Sequence, residues 1–553
     1  MQILRSVLLL FCVLALFSAR SQSLLMDPQS KDLHFIDRME IKLQRDSILN
    51  MSTVRPLNRK SIMLALDTLT MSLSVQDQYN WNSLRMNNVE WASHPDAWTS
   101  KRPLWNTFYQ NRGNFWERRN KDFFLAINPI LNLQIGKEIG YDKTIYRNTR
   151  GISIRGQLGD RLGFFTSLQE NQERDPLFYQ QRVNASRAVP GVGYYKIFKD
   201  DSSAYDFFDA RAYLTFRAAK FVDIQFGYDK NFIGNGYRSL FLSDWGNSYL
   251  FAKINVRFWK LNYQNTYMEL LPQFYKTKDT LLSRKYAAMH HLSIQPRPWL
   301  NVGLFEGVVF GRRDRFDFQY LNPIIFYRHI EGTIGSPDNA FAGLDLKANV
   351  RKRAQIYGQV MLDEFIIQRA LKDPSNWTNK FGFQLGVKYI DLFGVSNLDV
   401  QVEANRVRPF TYSHFDTVSN YTHYNQPLAH PLGANFQELI GIVRYQPIPR
   451  LTLYGRVQWY EQGLDSAGRN FGANIFEDYR TRAREDGFRM AGGIRTTCAN
   501  AILNLSYEWK QNLFIDLGLQ HRQFRSENSA DIQRASVITL GLRLNAARRE
   551  GDF

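Results

Sequence analysis

The chain has 553 residues, 44% hydrophobic and 14% aromatic, with 70 Lys and Arg against 52 Asp and Glu for a formal charge of +18. That length is ample for a sizeable core or a large closed barrel. Beyond the first residues there is no run of eighteen uninterrupted apolar residues, which excludes a helical membrane protein, and the two cysteines, Cys12 and Cys498, exclude a disulfide framework.

The chain opens with a short basic stretch, Met1 to Arg5, followed by an apolar run of about twelve residues from Ser6 to Phe17. This is signal-peptide length, too short to span a bilayer, and Ala19 and Ser21 supply the small residues a signal peptidase needs. Residues 1–21 therefore read as an export leader, and the mature chain as starting near Gln22. Cys12 lies inside the apolar run and does not suit a lipoprotein signal.

Residues 22–120 are helical in pattern and then irregular. Leu33, Ile36, Ile41, Leu43 and Ile48 interleave with Asp37, Arg38, Lys42 and Arg45, and Ile62, Leu66 and Leu69 follow Arg55 to Asn58. The spacing predicts two or three short helices before residue 90. Residues 99–119, dense in Trp, Phe, Arg and Asn, read as a connector, and the whole region as a short periplasmic helical segment.

From residue 121 to 553 the period becomes two. Leu398, Val400, Val402 and Ala404 alternate with Asp399, Gln401, Glu403 and Asn405, and Ile538, Leu540, Leu542 and Leu544 alternate with Thr539, Gly541, Arg543 and Asn545. A soluble sandwich alternates in the same way, so alternation alone does not settle the class. Spacing does. Short turns at 158–161, 218–221, 257–260, 295–299, 391–397, 446–450 and 510–513 alternate with long polar segments at 174–207, 311–340, 408–438 and 462–490. That asymmetry belongs to a transmembrane antiparallel β-barrel, with short periplasmic turns and long outer loops. The count is about eighteen strands between Asp122 and Asn545. Phe221, Trp259, Trp299, Phe393, Tyr445 and Trp509 stand beside the short turns, where an interfacial girdle belongs. Pro129 is discordant inside the first strand and fits only a bulge or a free edge. The terminal Phe553 resembles the aromatic ending of many barrels but lies beyond the last strand.

The positive excess, about +16 once Arg5 and Arg20 leave with the leader, points to anionic partners. For an exported barrel these are lipopolysaccharide or acidic surface polysaccharide rather than nucleic acid, with Arg312, Arg313, Arg315, Arg480, Arg482 and Arg484 as candidate contacts. No catalytic constellation emerges, and no cofactor is expected. Asp363 and Glu364, and likewise His290 and His291, are neighbours on a strand and so point to opposite faces. Gly234-Asn235-Gly236 reads as a loop whose glycines permit positive φ, without the context of a phosphate cradle.

Three segments resemble a known family. They are Gly227 to Leu240 (GYDKNFIGNGYRSL) with Leu242-Ser243-Asp244, Tyr320 to Arg328 (YLNPIIFYR), and Leu428 to Phe436 (LAHPLGANF). Together with Arg55-Pro56-Leu57 they look like the Wzi-type capsule-assembly proteins and their RemB-like gliding-motility relatives. The resemblance implies an eighteen-stranded outer-membrane barrel plugged or capped by helices, with surface polysaccharide or motility proteins as partners. All three blocks fall in or beside long outer loops. Asn235, Tyr237, Arg238, Asp244, Asn322, Arg328, His430 and Asn435 are therefore candidate glycan contacts at the extracellular mouth. The bland alternative is that these loops fold inward and close the barrel. A polysaccharide-binding barrel, a porin-like channel and a machinery scaffold all remain open at this point.

Overall fold

The computed structural model describes residues 24–44, 52–67, 71–159, 161–274, 281–323, 326–335, 338–363, 372–466, 468–549 and 551. The leader reading, Glu364 and Phe553 lie outside these residues.

Eighteen antiparallel strands close into a barrel. They are β1 (Phe123–Glu138), β2 (Ile145–Leu158), β3 (Leu162–Arg174), β4 (Asp201–Ala219), β5 (Val222–Asp229), β6 (Tyr249–Phe258), β7 (Leu261–Leu270), β8 (Lys285–Arg297) and β9 (Leu300–Phe310). The second half comprises β10 (Asn339–Val350), β11 (Ala354–Asp363), β12 (Lys380–Tyr389), β13 (Leu398–Val407), β14 (Phe436–Ile448), β15 (Leu451–Leu464), β16 (Ile494–Lys510), β17 (Leu513–Ser526) and β18 (Gln533–Leu544). Closure is by β18 against β1, from Leu544 opposite Leu131 to Val537 opposite Glu138. The predicted strand count is met. Each predicted short turn is present, and one more joins β10 to β11 at 351–353, where Arg351 and Lys352 take left-handed φ.

Pro129 sits at a break in one edge of β1. A short strand, Trp116–Arg119, pairs with Phe124 to Ile127, β18 pairs from Leu131 onward, and Pro129 falls between them, where no ladder N–H is required.

The two faces of the wall are opposite in chemistry. Val402, Leu439, Val457, Leu517 and Leu540 point outward and are exposed, while Asp345, Lys347, Gln359, Gln401, Glu403, Arg456 and Gln458 point into the lumen and are buried. A soluble sandwich would invert this, so the exposed aliphatic band marks a lipid-facing wall. Phe221, Trp259, Trp299, Phe393 and Trp509 are exposed beside the short turns.

Two layers fill the lumen. The lower layer is α1 (Asp32–Leu43), α2 (Arg59–Asp67) and α3 (Val75–Asn87), the last capped by Ser74, whose Oγ accepts the Asp77 N–H. Leu33, Ile36, Met39, Ile62, Leu66 and Trp81 form its own core. Polar ties join this bundle to the wall near the short turns. Arg38 pairs with Asp391 and Asp399, Asp37 with Lys388 at 2.7 Å, and Tyr79 bonds Glu508 at 3.0 Å, while within the bundle Asp77 of α3 holds Arg38 and, at 2.6 Å, Lys42. The helices thus plug the short-turn end from within.

The upper layer is made of loops. Residues 230–248 after β5 and 408–435 after β13 turn into the barrel and pack Leu240, Phe241, Leu242, Tyr412, Tyr421 and Leu428 on lumen-facing Phe251, Met268, Phe305 and Met361. Phe241 stacks on Phe305 with ring centroids 4.5 Å apart. A two-stranded sheet, Phe232–Ile233 against Val54–Arg55, joins the upper layer to the plug.

Candidate functional site

The inward loops place most of the predicted contacts in the lumen rather than at an exposed mouth. Asn235, Arg238, His430 and Asn435 are buried, Tyr237 and Asp244 are half-buried, and Asn322 and Arg328 alone among the eight are exposed. The single exposed patch expected of these eight residues does not form, for two reasons. Six of them belong to the loops that dive inward, and the other two lie on a loop that folds away from the lumen.

Buried carboxylates on the wall hold the inward loop. Glu403 on β13 accepts the N–H groups of Tyr237 at 2.6 Å and Arg238 at 3.0 Å and the hydroxyl of Tyr357 at 2.8 Å. Glu438 on β14 pairs with His430 at 2.7 Å and Arg238 at 3.4 Å, and takes further bonds from Asn405 and Gln458. The Tyr237 hydroxyl meets Arg456. Asn235 accepts from Thr53 of the plug at 2.9 Å, and Asn435, at φ 57°, donates to the carbonyls of Gly463 and Gly492, each at 2.8 Å. Burial raises the Asp244 carboxyl despite Lys230 and Arg55 nearby. These groups bond chiefly to one another, with Asn235 Nδ2 and Asn435 Oδ1 left without a partner among the described residues, and their chemistry is that of a closure.

The glycines of Gly234-Asn235-Gly236 have a different reason from the one expected. Neither takes a positive φ. A Cβ at Gly236 would come within 2.3 Å of a Glu403 carboxylate oxygen, so a larger residue there would have to displace the carboxylate that holds the loop.

Between plug and wall a cavity of about 720 Å³ remains, lined by Arg147, Arg444, Arg543, Arg548 and Arg549 among others. Most of these arginines meet carboxylates, as in Arg543 with Asp516 at 2.8 Å and Arg549 with Glu173 at 3.0 Å.

At the long-loop end, three loops bring together a cluster whose aromatic members no local pattern marked. Trp377 and Tyr479 pack with centroids 4.8 Å apart, and Phe415 meets Tyr479 edge-on at 6.0 Å. Arg482 lies over Trp377 at 4.4 Å and Arg480 over Phe415 at 5.0 Å. Glu485 accepts from Trp377 Nε1 at 2.9 Å and pairs with Arg482, and Asp478 pairs with Arg480 at 2.7 Å. All three rings are half-buried, and Arg480 is exposed. Half-buried aromatic rings flanked by guanidiniums suit a sugar ring and bidentate bonds to an acidic group. Of this cluster, the charge pattern marked Arg480 and Arg482; Phe415 precedes them by 65 and 67 residues, Trp377 by 103 and 105, and Tyr479 is adjacent without periodicity.

The described residues contain no group of three His, Cys, Asp or Glu suited to a metal. His290 faces outward to Tyr327 while His291 faces the lumen, 2.7 Å from Asp345.

No curated protein sequence matches the chain. A solved structure of Wzi from Escherichia coli, described as an outer membrane protein involved in group 1 capsule assembly and a carbohydrate-binding β-barrel, is similar at 13% identity and TM-score 0.57, covering 96% of this chain and 100% of that one. Acinetobacter baumannii OccAB2 is more distant, at 9% identity and TM-score 0.42 over 76% of this chain and 97% of that one. The family described as capsule assembly protein Wzi matches residues 147–453, more than half of the chain. With an eighteen-stranded wall that turns its aliphatic face outward, this chain belongs to the Wzi capsule-assembly family of outer-membrane β-barrels.

Proposed function

We propose that the chain is a non-catalytic attachment point for acidic surface polysaccharide, held at the outer face of the outer membrane with its helical plug on the periplasmic side. The observation that carries this reading is the Trp377, Phe415 and Tyr479 cluster with Arg480 and Arg482, because it offers ring faces and fixed cations to a polymer at the long-loop end. The two lumen layers support it, since a barrel filled by a helical bundle and two inward loops is a poor conduit. The carbohydrate binding and capsule assembly described for the Escherichia coli protein agree with it.

The test is a deletion strain scored for attached and shed surface polymer. Shed polymer that the wild-type gene returns to the cell, but a Trp377→Ala/Arg482→Ala gene does not, is the expected result. Fully attached polymer in the deletion strain would overturn the reading and favour a motility or secretion scaffold.

A further inference from the structure

The lipid-facing wall departs from an aliphatic band over the outer halves of β7, β8 and β9. His291 meets Asp345 and Phe305 stacks on Phe241, both inside the lumen, so their strand neighbours His290 and Glu306 face outward. So does Asn265, opposite His290. An outward carboxylate, imidazole and amide are costly on a wall that faces lipid. All three are nevertheless buried.

The loop after β9 buries them. Residues 311–323 and 326–335, the latter including α5 (Tyr327–Ile334), lie on the outside of the barrel as a strap. Glu306 accepts the backbone N–H groups of Phe326 and Arg328, and the Tyr327 hydroxyl meets His290 Nε2. The hydroxyls of Tyr263 and Tyr267 donate to the carbonyls of Pro323 and Leu321. Tyr320, Tyr327 and Ile330 pack on Tyr286, Val308 and Phe310 in a cluster separate from the lumen core. Arg312 with Asp338 fastens the strap where it leaves the wall and returns. Glu306 lies four residues below the end of β9, so the strap reaches roughly 10 Å down the flank.

The other side of the strap carries a second, independent pattern. Phe318 and Phe326 are 78% and 70% exposed, and Leu304 and Leu344 are exposed on the wall nearby. Arg313, Arg315 and Arg328 are exposed on the same segment. Arg328 pairs with Glu331, whereas among the described residues Arg313 and Arg315 meet no carboxylate. Bare phenyl rings on the flank of a membrane barrel suit acyl chains, and guanidiniums beside them suit phosphate, which they bind bidentately.

We propose that this strap is a docking site for a phosphorylated, acylated sugar lipid of the outer leaflet. The acyl chains run along Phe318, Phe326 and Leu304, and the headgroup phosphates sit against Arg313, Arg315 and Arg328. The flank position and the exposed phenyl rings select a lipid over a soluble polymer, which has no use for apolar faces outside the mouth. The inference needs the outer-membrane placement and stands or falls separately from the capsule reading.

The experiment uses the full chain in phosphatidylcholine nanodiscs, titrated with fluorescent rough lipopolysaccharide, with heat-modifiable electrophoretic mobility as the check that the barrel is folded. Arg313→Glu/Arg315→Glu/Arg328→Glu, and separately Phe318→Ser/Phe326→Ser, keep the folded mobility and each weaken binding at least about tenfold. Arg→Lys at the same three positions retains most of it. Unchanged affinity in both variants would overturn the proposal. So would competition by the deacylated headgroup as strong as that by intact lipid, which would assign the arginines to soluble polymer.

Discussion

Lys347 Nζ on β10 lies 2.7 Å from Glu40 Oε1 of α1, and both side chains are 1% exposed. This pair, with Ser52 accepting from Lys347 and donating to Glu40, each at 2.8 Å, ties the plug to the lumen wall. Removing one partner leaves the other charge buried and alone, a cost of about 3–5 kcal/mol. Lys347→Ala therefore accelerates hydrogen exchange across α1, while Lys347→Met/Glu40→Leu recovers most of the protection. Unchanged exchange in Lys347→Ala would count against the plug being held by this contact.

Acid loosens the plug, and only strong acid. Burial by itself would raise the carboxyls of Asp37 and Asp77, but Lys388 and Arg55 around the first, and Arg38 and Lys42 around the second, outweigh it and hold both below the usual range. A carboxyl depressed in the folded state contributes stability above its ordinary value of about 4, and loses it as pH falls through the folded value. Fluorescence of Trp81, buried in α3, stays constant from about pH 7 to 5 and changes below about pH 4. A transition between pH 5 and 7 would contradict this assignment.

Trp377→Ala weakens binding of purified acidic polymer by about 1–2 kcal/mol, roughly fivefold to thirtyfold, by removing both a stacking face and the seat of Arg482. Arg482→Ala has a smaller effect in the same direction. Isothermal titration at two salt concentrations separates the ionic share, because the arginine contribution shrinks with added salt.

Arg238→Ala acts on stability. Its guanidinium meets Glu438, which His430, Asn405 and Gln458 also hold, so the loss costs about 2–4 kcal/mol and lowers the melting temperature. Folded Arg238→Ala protein binds polymer like the wild type. A selective loss of binding with unchanged melting would return Arg238 to the ligand site.

Reconstituted in planar bilayers, the wild-type chain passes almost no current, because the helical bundle and the 230–248 and 408–435 loops block the lumen in series. A porin-sized unit conductance would remove the closure argument and favour a channel.

The wall was legible in the amino-acid order. Strict alternation along Leu398 to Asn405 separates a greasy face from a polar one, and the short turns alternating with long polar segments decide which class of fold those faces serve. The turn at 351–353 escaped because Arg351-Lys352-Arg353 has no aromatic residue beside it, unlike the turns at Phe221, Trp259 and Trp509, and looks like a polar strand end. The aromatic girdle was legible as well, since Trp and Phe cluster beside turns for a reason local to the interface.

Where the irregular segments go was decided by partners far away in sequence. Loop 230–248 turns inward because Glu403 and Glu438, about 165 to 200 residues later, need its N–H groups and guanidinium. Residues 311–323 and 326–335 turn outward because Glu306 and His290 need a cover on the lipid side. A period-two pattern reports which way a strand residue faces and is silent about loops, whose polar side chains look equally suited to solvent and to a buried network. The strand order, the faces and the membrane class follow from local alternation and turn spacing. The closure of the lumen, the burial of Arg238 and His430 and the meeting of Trp377 with Tyr479 follow from pairings between charges and rings that only a closed barrel brings within reach.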